Sequence, residues 1–466
     1  MPGVNVKLIS APAARFNPSA TGKWFCVALL ERGSTTVPIL VTSMTELKEL
    51  CGGRVPYSSM WDAAETFFEE GGSELILARV VGKTPVAAKL ELEDSTKAIA
   101  LKVTAKNVGE WGNKLEVAVK KGTGEGYFLI ISESGVVVEE SPELASQAAA
   151  VTWAEASAYV NIAVGAGSKS PAEAAAKALS GGTYDGTEVE EVDWEEALNR
   201  LSGDLGPGQV SAPGITTESV GKLLLAHAEA KNRTALLDLT NSGVAATLIS
   251  AAAHFRSVTG ARRGAAYAPW AIIPGLAAEA PRTVPYSAVQ AGILARNDQS
   301  GTPPPVGVPS AGENGRPRFA TGLSHEWKRQ EREELNNGSV NVARTTPSGY
   351  IETYGNRALV KPEVEPAWEE VSWARLYMFI WAEGEAILEK GTFKPIDPKE
   401  KLATTIEGLL AGFLGSLGGV LNKFTVNAGP SVNTTATKTK KEIRAQIEVE
   451  PSEIAETATL DIAVTA

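Results

Sequence analysis

From Thr21 to Gly82 the sequence alternates short apolar runs with amphipathic stretches, and the same rhythm resumes at residue 188 after a segment of different character. The apolar runs WFCVALL, VPILVTS and ELILARVV read as strands, and TELKELCGG and WDAAETFFEEGG read as helices, the order of an α/β layer. Beyond residue 188, VDWEEALNRLSG and TESVGKLLLAHAEAKN read as helices. GQVSAPG and TALLDLT read as strands, the second apolar on both faces, as a strand covered on both sides must be. A rhythm that breaks and resumes implies one three-layer α/β core folded from two separated stretches of chain, 21–82 and 188–350.

The intervening segment, 83–187, carries LELEDSTKAIALKVTA, KLEVAVKKG and YFLIISESGVVVEES, short alternating runs divided by glycine turns. It reads as a separate β-rich inserted domain. KKGTGEGY, Lys120 to Tyr127, has the form of a hairpin turn. SPELASQAAAVTWAEASAYV and SPAEAAAKALSGG are alanine-rich and predict helix. In the second core stretch, PGLAAEAPRTVPYS and SGTPPPVGVPSAGENGRPR are too long for ordinary connections and are expected to be exposed or contact-making. Past Tyr350 the pattern predicts two helices, SWARLYMFIWAEGEAILEKG and KLATTIEGLLAGFLGSLGGVL, then a strand at FTVNAG and two alternating strands joined at Pro451 to Glu453. An α+β C-terminal domain over 351–454 is expected, with an arm at each end of the chain, 1–20 and 455–466.

Those arms alternate: Val4, Val6 and Leu8 at the start, Leu460, Ile462 and Val464 at the finish. The first is followed by a Pro, Ala and Ser tether over 12–22. A short strand on a slack tether has too few partners to hold alone. It either becomes an edge strand of its own domain or pairs with the sheet of another chain. The residues alone leave both open.

Charge excludes some functions. With 44 Lys and Arg against 55 Asp and Glu, the formal net charge is -11, which repels phosphate backbones. Hydrophobic residues at 43% and charged residues at 21% are the proportions of a folded globular chain. There is no apolar run long enough for a transmembrane helix, and MPGVNVKL lacks the regions of a secretory signal, so synthesis and assembly in the cytoplasm are expected. Cys26 and Cys51 supply no disulfide framework and are expected to be buried thiols.

Catalysis finds little support. The histidines His227, His254 and His325 sit in helix-like or loop contexts, not beside a recognisable nucleophile, and no GxSxG elbow occurs. There is no GxxxxGK[ST] or strand-flanked GxGxxG for a nucleotide, and no metal-ligand spacing. No catalytic, cofactor or metal residue is therefore assigned. A hydrolase and an oligomeric binding module are the alternatives to an assembly protein.

Several blocks resemble, in order, the tail sheath proteins of contractile-tailed phages and related injection machines. They are Pro2-Gly3-Val4, VALLERGSTTVPILVTSMTELKELCGG, AAETFFEEGGSELILARVVG, GEWGN at 109–113, YAPWAIIPG, VPYSAVQAGILARND, GSVNVARTTPSGYIETYGNRAL, SWARLYMFIWAEGEAI and FKPID. The resemblance implies a non-enzymatic virion subunit without cofactors, set in six-fold rings around an inner tail tube and meeting baseplate and terminator proteins. It implies terminal strands, Val4 to Leu8 and Leu460 to Val464, that complete sheets in adjacent subunits. It also implies contraction without ATP, an α/β core likened to subtilisin, and a tube-facing C-terminal domain. For that last contact Lys399, Lys401 and Glu407 are the candidate residues.

Overall fold

The computed structural model describes residues 21–123, 126–184, 186–277, 279–299, 306–396 and 400–455. The first stretch forms β1 (Trp24–Leu29), β2 (Ile39–Val41), α1 (Met44–Cys51), α2 (Met60–Glu69) and β3 (Leu75–Val80). Ser43 caps α1 by accepting from the Glu46 N–H, and Gly52, at φ +89°, adopts the positive-φ backbone that ends it.

The inserted segment forms β4 (Lys89–Glu93), β5 (Ile99–Ala105), β6 (Leu115–Lys121), β7 (Tyr127–Glu133), β8 (Val136–Glu140), α3 (Gln147–Ala156), β9 (Val160–Val164) and β10 (Ala174–Ala178). These make two antiparallel sheets, β10-β6-β7-β8 and β4-β5-β9, which close on one core holding Leu101, Val103, Trp111, Val117, Leu129 and Val160. β6 and β7 form the hairpin expected around KKGTGEGY, closed by Gly122 N–H to Gly126 O at 2.8 Å. The alanine-rich 174–178 run corrects the sequence reading. It is a strand on the edge of the four-stranded sheet, paired with β6, because the offered ladder outweighs alanine's helix preference.

The chain then returns through α4 (Glu191–Arg200), β11 (Gln209–Ser211), α5 (Glu218–Ala230), β12 (Thr234–Asp238), α6 (Ala245–Ala253), β13 (Gly264–Ala268), β14 (Ala271–Ile273), β15 (Arg282–Val284), α7 (Tyr286–Gln299), β16 (Gly322–Leu323), α8 (Arg329–Asn337), β17 (Val340–Thr345) and β18 (Ile351–Tyr354). The main sheet has the order β18-β17-β13-β12-β11-β1-β3-β2. Its six inner strands are parallel and each edge strand is antiparallel. Alternation divides its side chains cleanly. Trp24, Cys26, Leu75, Leu77, Leu236 and Tyr267 face α1, α2 and α7, whereas Phe25, Val27, Ile76, Leu237 and Val342 face α4, α5, α6 and α8. Cys26 and Cys51 are buried free thiols on the first of those faces.

Of the two readings of the second proline-rich stretch, exposed or contact-making, its part from residue 306 makes contacts within the subunit. From residue 306 onward it is pinned by Glu70, a carboxylate with no exposed surface that accepts from the N–H groups of Arg318 and Phe319 and from Arg296. Burying Val306 and fixing these amides holds the loop against α2 and α7.

The last part forms α9 (Val371–Glu389), α10 (Lys401–Gly415), β19 (Leu421–Asn427), α11 (Thr435–Thr439) and β20 (Gln446–Pro451). α10 buries Leu402, Ile406, Leu410 and Leu414, a helix-spaced stripe, against α9 and the β19–β20 hairpin. The whole is a mixed α/β multidomain fold with several sheets and, among the described residues, eleven α-helices.

Candidate functional site

Two places merit comparison: the carboxyl edge of the main sheet, where a doubly wound fold carries its ligand, and the hairpin near the chain's end. The strand order reverses between β1 and β11, the position at which such a sheet opens a crevice. A cavity of about 790 Å³ lies there, lined by the ends of β1, the 54–59 loop, Trp194, the 213–215 turn and Glu279. Its polar groups are engaged with one another. Asp62 accepts from Arg54 at 3.0 Å and from Arg282 at 2.6 Å, and Arg282 also reaches Glu65 at 2.6 Å.

Behind the crevice, Asp238 ends β12 and accepts from Gly214 N–H at 3.1 Å, Ser287 N–H at 3.0 Å and the Ser287 hydroxyl at 2.7 Å. Burial pushes its carboxyl up to about 6 despite those three donors. A serine beside an aspartate needs a base to become a nucleophile. The histidines are occupied elsewhere. His227 Nε2 lies 2.7 Å from Arg233 and so accepts from it; burial and that cation pull its pKa down to about 3. His254 meets Glu218 at 3.2 Å, and His325 packs edge-on against Trp327. The Asp238–Ser287 pair thus ties α7 to the sheet.

The hairpin has a different character. β19 and β20 pair antiparallel, with Phe424 opposite Val449 and Val426 opposite Ile447. These four side chains pack on α9 and α10. The opposite face is polar: Lys423 opposite Glu450, Thr425 opposite Glu448 and Asn427 opposite Gln446. Each strand has one neighbour among the described residues, so both outer edges of this two-stranded sheet offer backbone N–H and C=O groups. A hairpin alone is marginal in water, and here α10 supplies the layer beneath it.

No family model and no curated protein matches this chain. Solved structures do. A sheath tail protein of Listeria innocua is 12% identical with a TM-score of 0.65, over 90% of this chain and 91% of that one. A sheath tail protein of Desulfitobacterium hafniense is 11% identical with a TM-score of 0.59, over 91% and 93%. The helical sheath of the anti-feeding prophage in its contracted state is 16% identical with a TM-score of 0.58, over 99% and 98%. The fold is that of contractile-tail sheath proteins.

Within this sheath fold, the residues singled out from sequence fall into two groups. Val4, Val6, Leu8, Leu460, Ile462, Val464 and Lys399 lie outside the described residues. Lys401 is exposed at the start of α10, and Glu407, on the same helix, accepts from the Ala428 N–H at 2.8 Å, joining α10 to the end of β19. Sequence reasoning found the two strands of the hairpin but not their pairing. The signal was present: FTVNAG and AQIEVE alternate in the same phase, and matching apolar residues face each other when they are laid antiparallel. It also missed the buried Arg375–Asp298 pair at 2.6 Å, which fastens α9 to α7 and shares its carboxylate with Thr21, the first described residue.

Proposed function

We propose that this chain is the structural subunit of a contractile tail sheath. Copies stack as hexameric rings around an inner tail tube, and the cylinder shortens to drive that tube through the host envelope. The observation that carries this reading is the β19–β20 sheet, open at both edges among the described residues, in a chain whose two ends each alternate as a strand. In the proposed assembly, Val4 to Leu8 and Leu460 to Val464 enter the hairpins of neighbouring copies, each adding a strand. At about 1 kcal/mol net per ladder hydrogen bond, a strand of this length links subunits without a large rigid interface. The tether over 12–22 then lets subunits turn past one another while they stay joined.

The remaining assignments belong to the same reading. The core over 21–82 and 188–350 is of subtilisin-like kind in fold only, the β-rich domain over 83–187 lies outward, and the C-terminal domain over 351–454 faces the tube through α10. There Lys399, Lys401 and Glu407 are the proposed contacts. Tube, baseplate and terminator proteins are its partners, the virion tail its location, and the host cytoplasm its place of assembly. Contraction is a downhill change between two packings and needs neither ATP nor a catalytic residue.

Electron microscopy of the purified protein tests this. Long hollow cylinders or six-fold rings are expected, lost when residues 1–15 or 456–466 are deleted while the domains stay folded. Small monodisperse particles at high concentration, or labelling by a serine-reactive hydrolase probe, would count against it.

A further inference from the structure

LERG at 30–33 and GEWGN at 109–113 are far apart in the sequence, one following β1 and the other inside the inserted domain, and the fold brings them together. Arg32 reaches from the core to the insert. Its Nη2 donates to Lys48 O at 3.1 Å and Glu49 O at 3.0 Å, carbonyls in the last turn of α1, while its guanidinium lies over the rings of Trp111 at 5.1 Å and Tyr159 at 5.3 Å. Glu133 of β7 stands 3.5 Å away, and the Arg32 side chain is 8% exposed. Trp111 belongs to the inserted domain's own apolar core and Tyr159 packs against it, so a cation of one domain closes the interior of the other.

Arg79, near the end of β3 and 1% exposed, gathers four backbone carbonyls. Three belong to the turn after β1, Leu30 at 3.2 Å, Glu31 at 3.2 Å and Gly33 at 3.1 Å, and the fourth is Val108 of the insert at 3.0 Å. Glu31 adds a further link, accepting from the Gly53 N–H and from Lys114 of the insert, both at 2.7 Å. The fit leaves no room at 109: Gly109 has φ +123°, and a Cβ there would stand 3.1 Å from Arg79 Nη2 and 3.2 Å from Glu31 O. The returning chain is fastened to the same place, because Asn113 exchanges two hydrogen bonds with the Gly182 backbone, at 2.8 and 2.9 Å.

We infer that this joint fixes the orientation of the inserted domain on the core, with Arg32 as its chief positioning residue. Domains of one chain ordinarily shift against each other unless a large apolar interface joins them. Here the contact is polar, yet removing either guanidinium would leave buried carbonyls without donors. A lysine at 32 would lack the planar fork that serves two carbonyls and two rings at once. The joint lies within one subunit, so it stands or falls apart from the sheath assembly proposed above.

Paired spin labels in the full-length protein, diluted with unlabelled copies, measure that orientation. Cys26 and Cys51 are 0% and 2% exposed and stay unlabelled. Val137→Cys on β8 and Glu195→Cys on α4, both exposed positions, mark insert and core, and a single narrow distance is expected between them. Arg32→Ala should widen that distribution about twofold or more, and Tyr159→Leu, acting from the insert's side, should widen it too. A second pair inside the insert, Val137→Cys with Lys102→Cys, should stay narrow and shows that the domain remains folded; the variant that keeps it narrow decides. Lys114→Ala breaks an ion pair whose lysine is 52% exposed and should change little. A broad distribution in the natural protein, or a narrow one in either Arg32→Ala or Tyr159→Leu with the insert folded, overturns the joint. Widening by Lys114→Ala as large as by Arg32→Ala overturns the role given to Arg32.

Discussion

Asp238 holds three hydrogen bonds and still has a raised pKa, because its carboxylate has lost its water entirely to the junction of β12, α7 and the 213–215 turn. The sign of its pH effect follows. A carboxyl with a folded pKa of about 6 and an ordinary value of 3.8 binds its proton more tightly when folded. Its contribution to stability is fully present below pH 4 and is lost as pH rises through 6, an effect of about 3 kcal/mol across that window. Asp238→Asn removes the titration. The stability of the variant relative to the natural protein should therefore improve by that amount between pH 4 and pH 7, measured by denaturant unfolding at each pH. Parallel pH profiles would show that Asp238 is not the group responsible. Glu70 accepts from two backbone amides and from Arg296 and so fastens the 306–319 loop.

At the scale of elements, the hairpin owes its order to α10. Ile406 is 1% exposed on the helix stripe, where it packs beside Ile387, Leu410 and Ile447. Ile406→Ala leaves a cavity there and should destabilise the C-terminal unit by about 2–4 kcal/mol. Hydrogen exchange is expected to quicken across 421–451 while the strands of the main sheet keep their protection; uniform change across both would contradict this division. The main sheet was legible in the sequence because buried parallel strands are apolar on both faces, as in TALLDLT and ELILARVV. The 174–178 strand was not, because alanine says nothing of the edge waiting beside β6. Nor was the fixing of the proline-rich loop, which depends on Glu70, distant in sequence and indistinguishable there from its neighbour Glu69. The open edges of β19 and β20 were legible only as alternation; that they lie side by side over an apolar helix face is a tertiary fact.

For the whole molecule, a buried ion pair is one of several contacts joining the C-terminal unit to the core; Val371 packed in the core beside α7 and the Asn232 amide donating to Met378 O are others. Arg375 on α9 meets Asp298 at the end of α7, and Thr21 donates to the same carboxylate, so the root of the N-terminal arm and the first C-terminal helix share an anchor. Removing one partner of such a pair strands a buried charge, which is why it fixes orientation strongly. The most direct test is a cryo-EM reconstruction of assembled cylinders at side-chain resolution. The account predicts four strands in each C-terminal sheet: β19, β20, and one terminal strand from each of two neighbouring copies. A two-stranded hairpin with both termini folded onto their own subunit would contradict it.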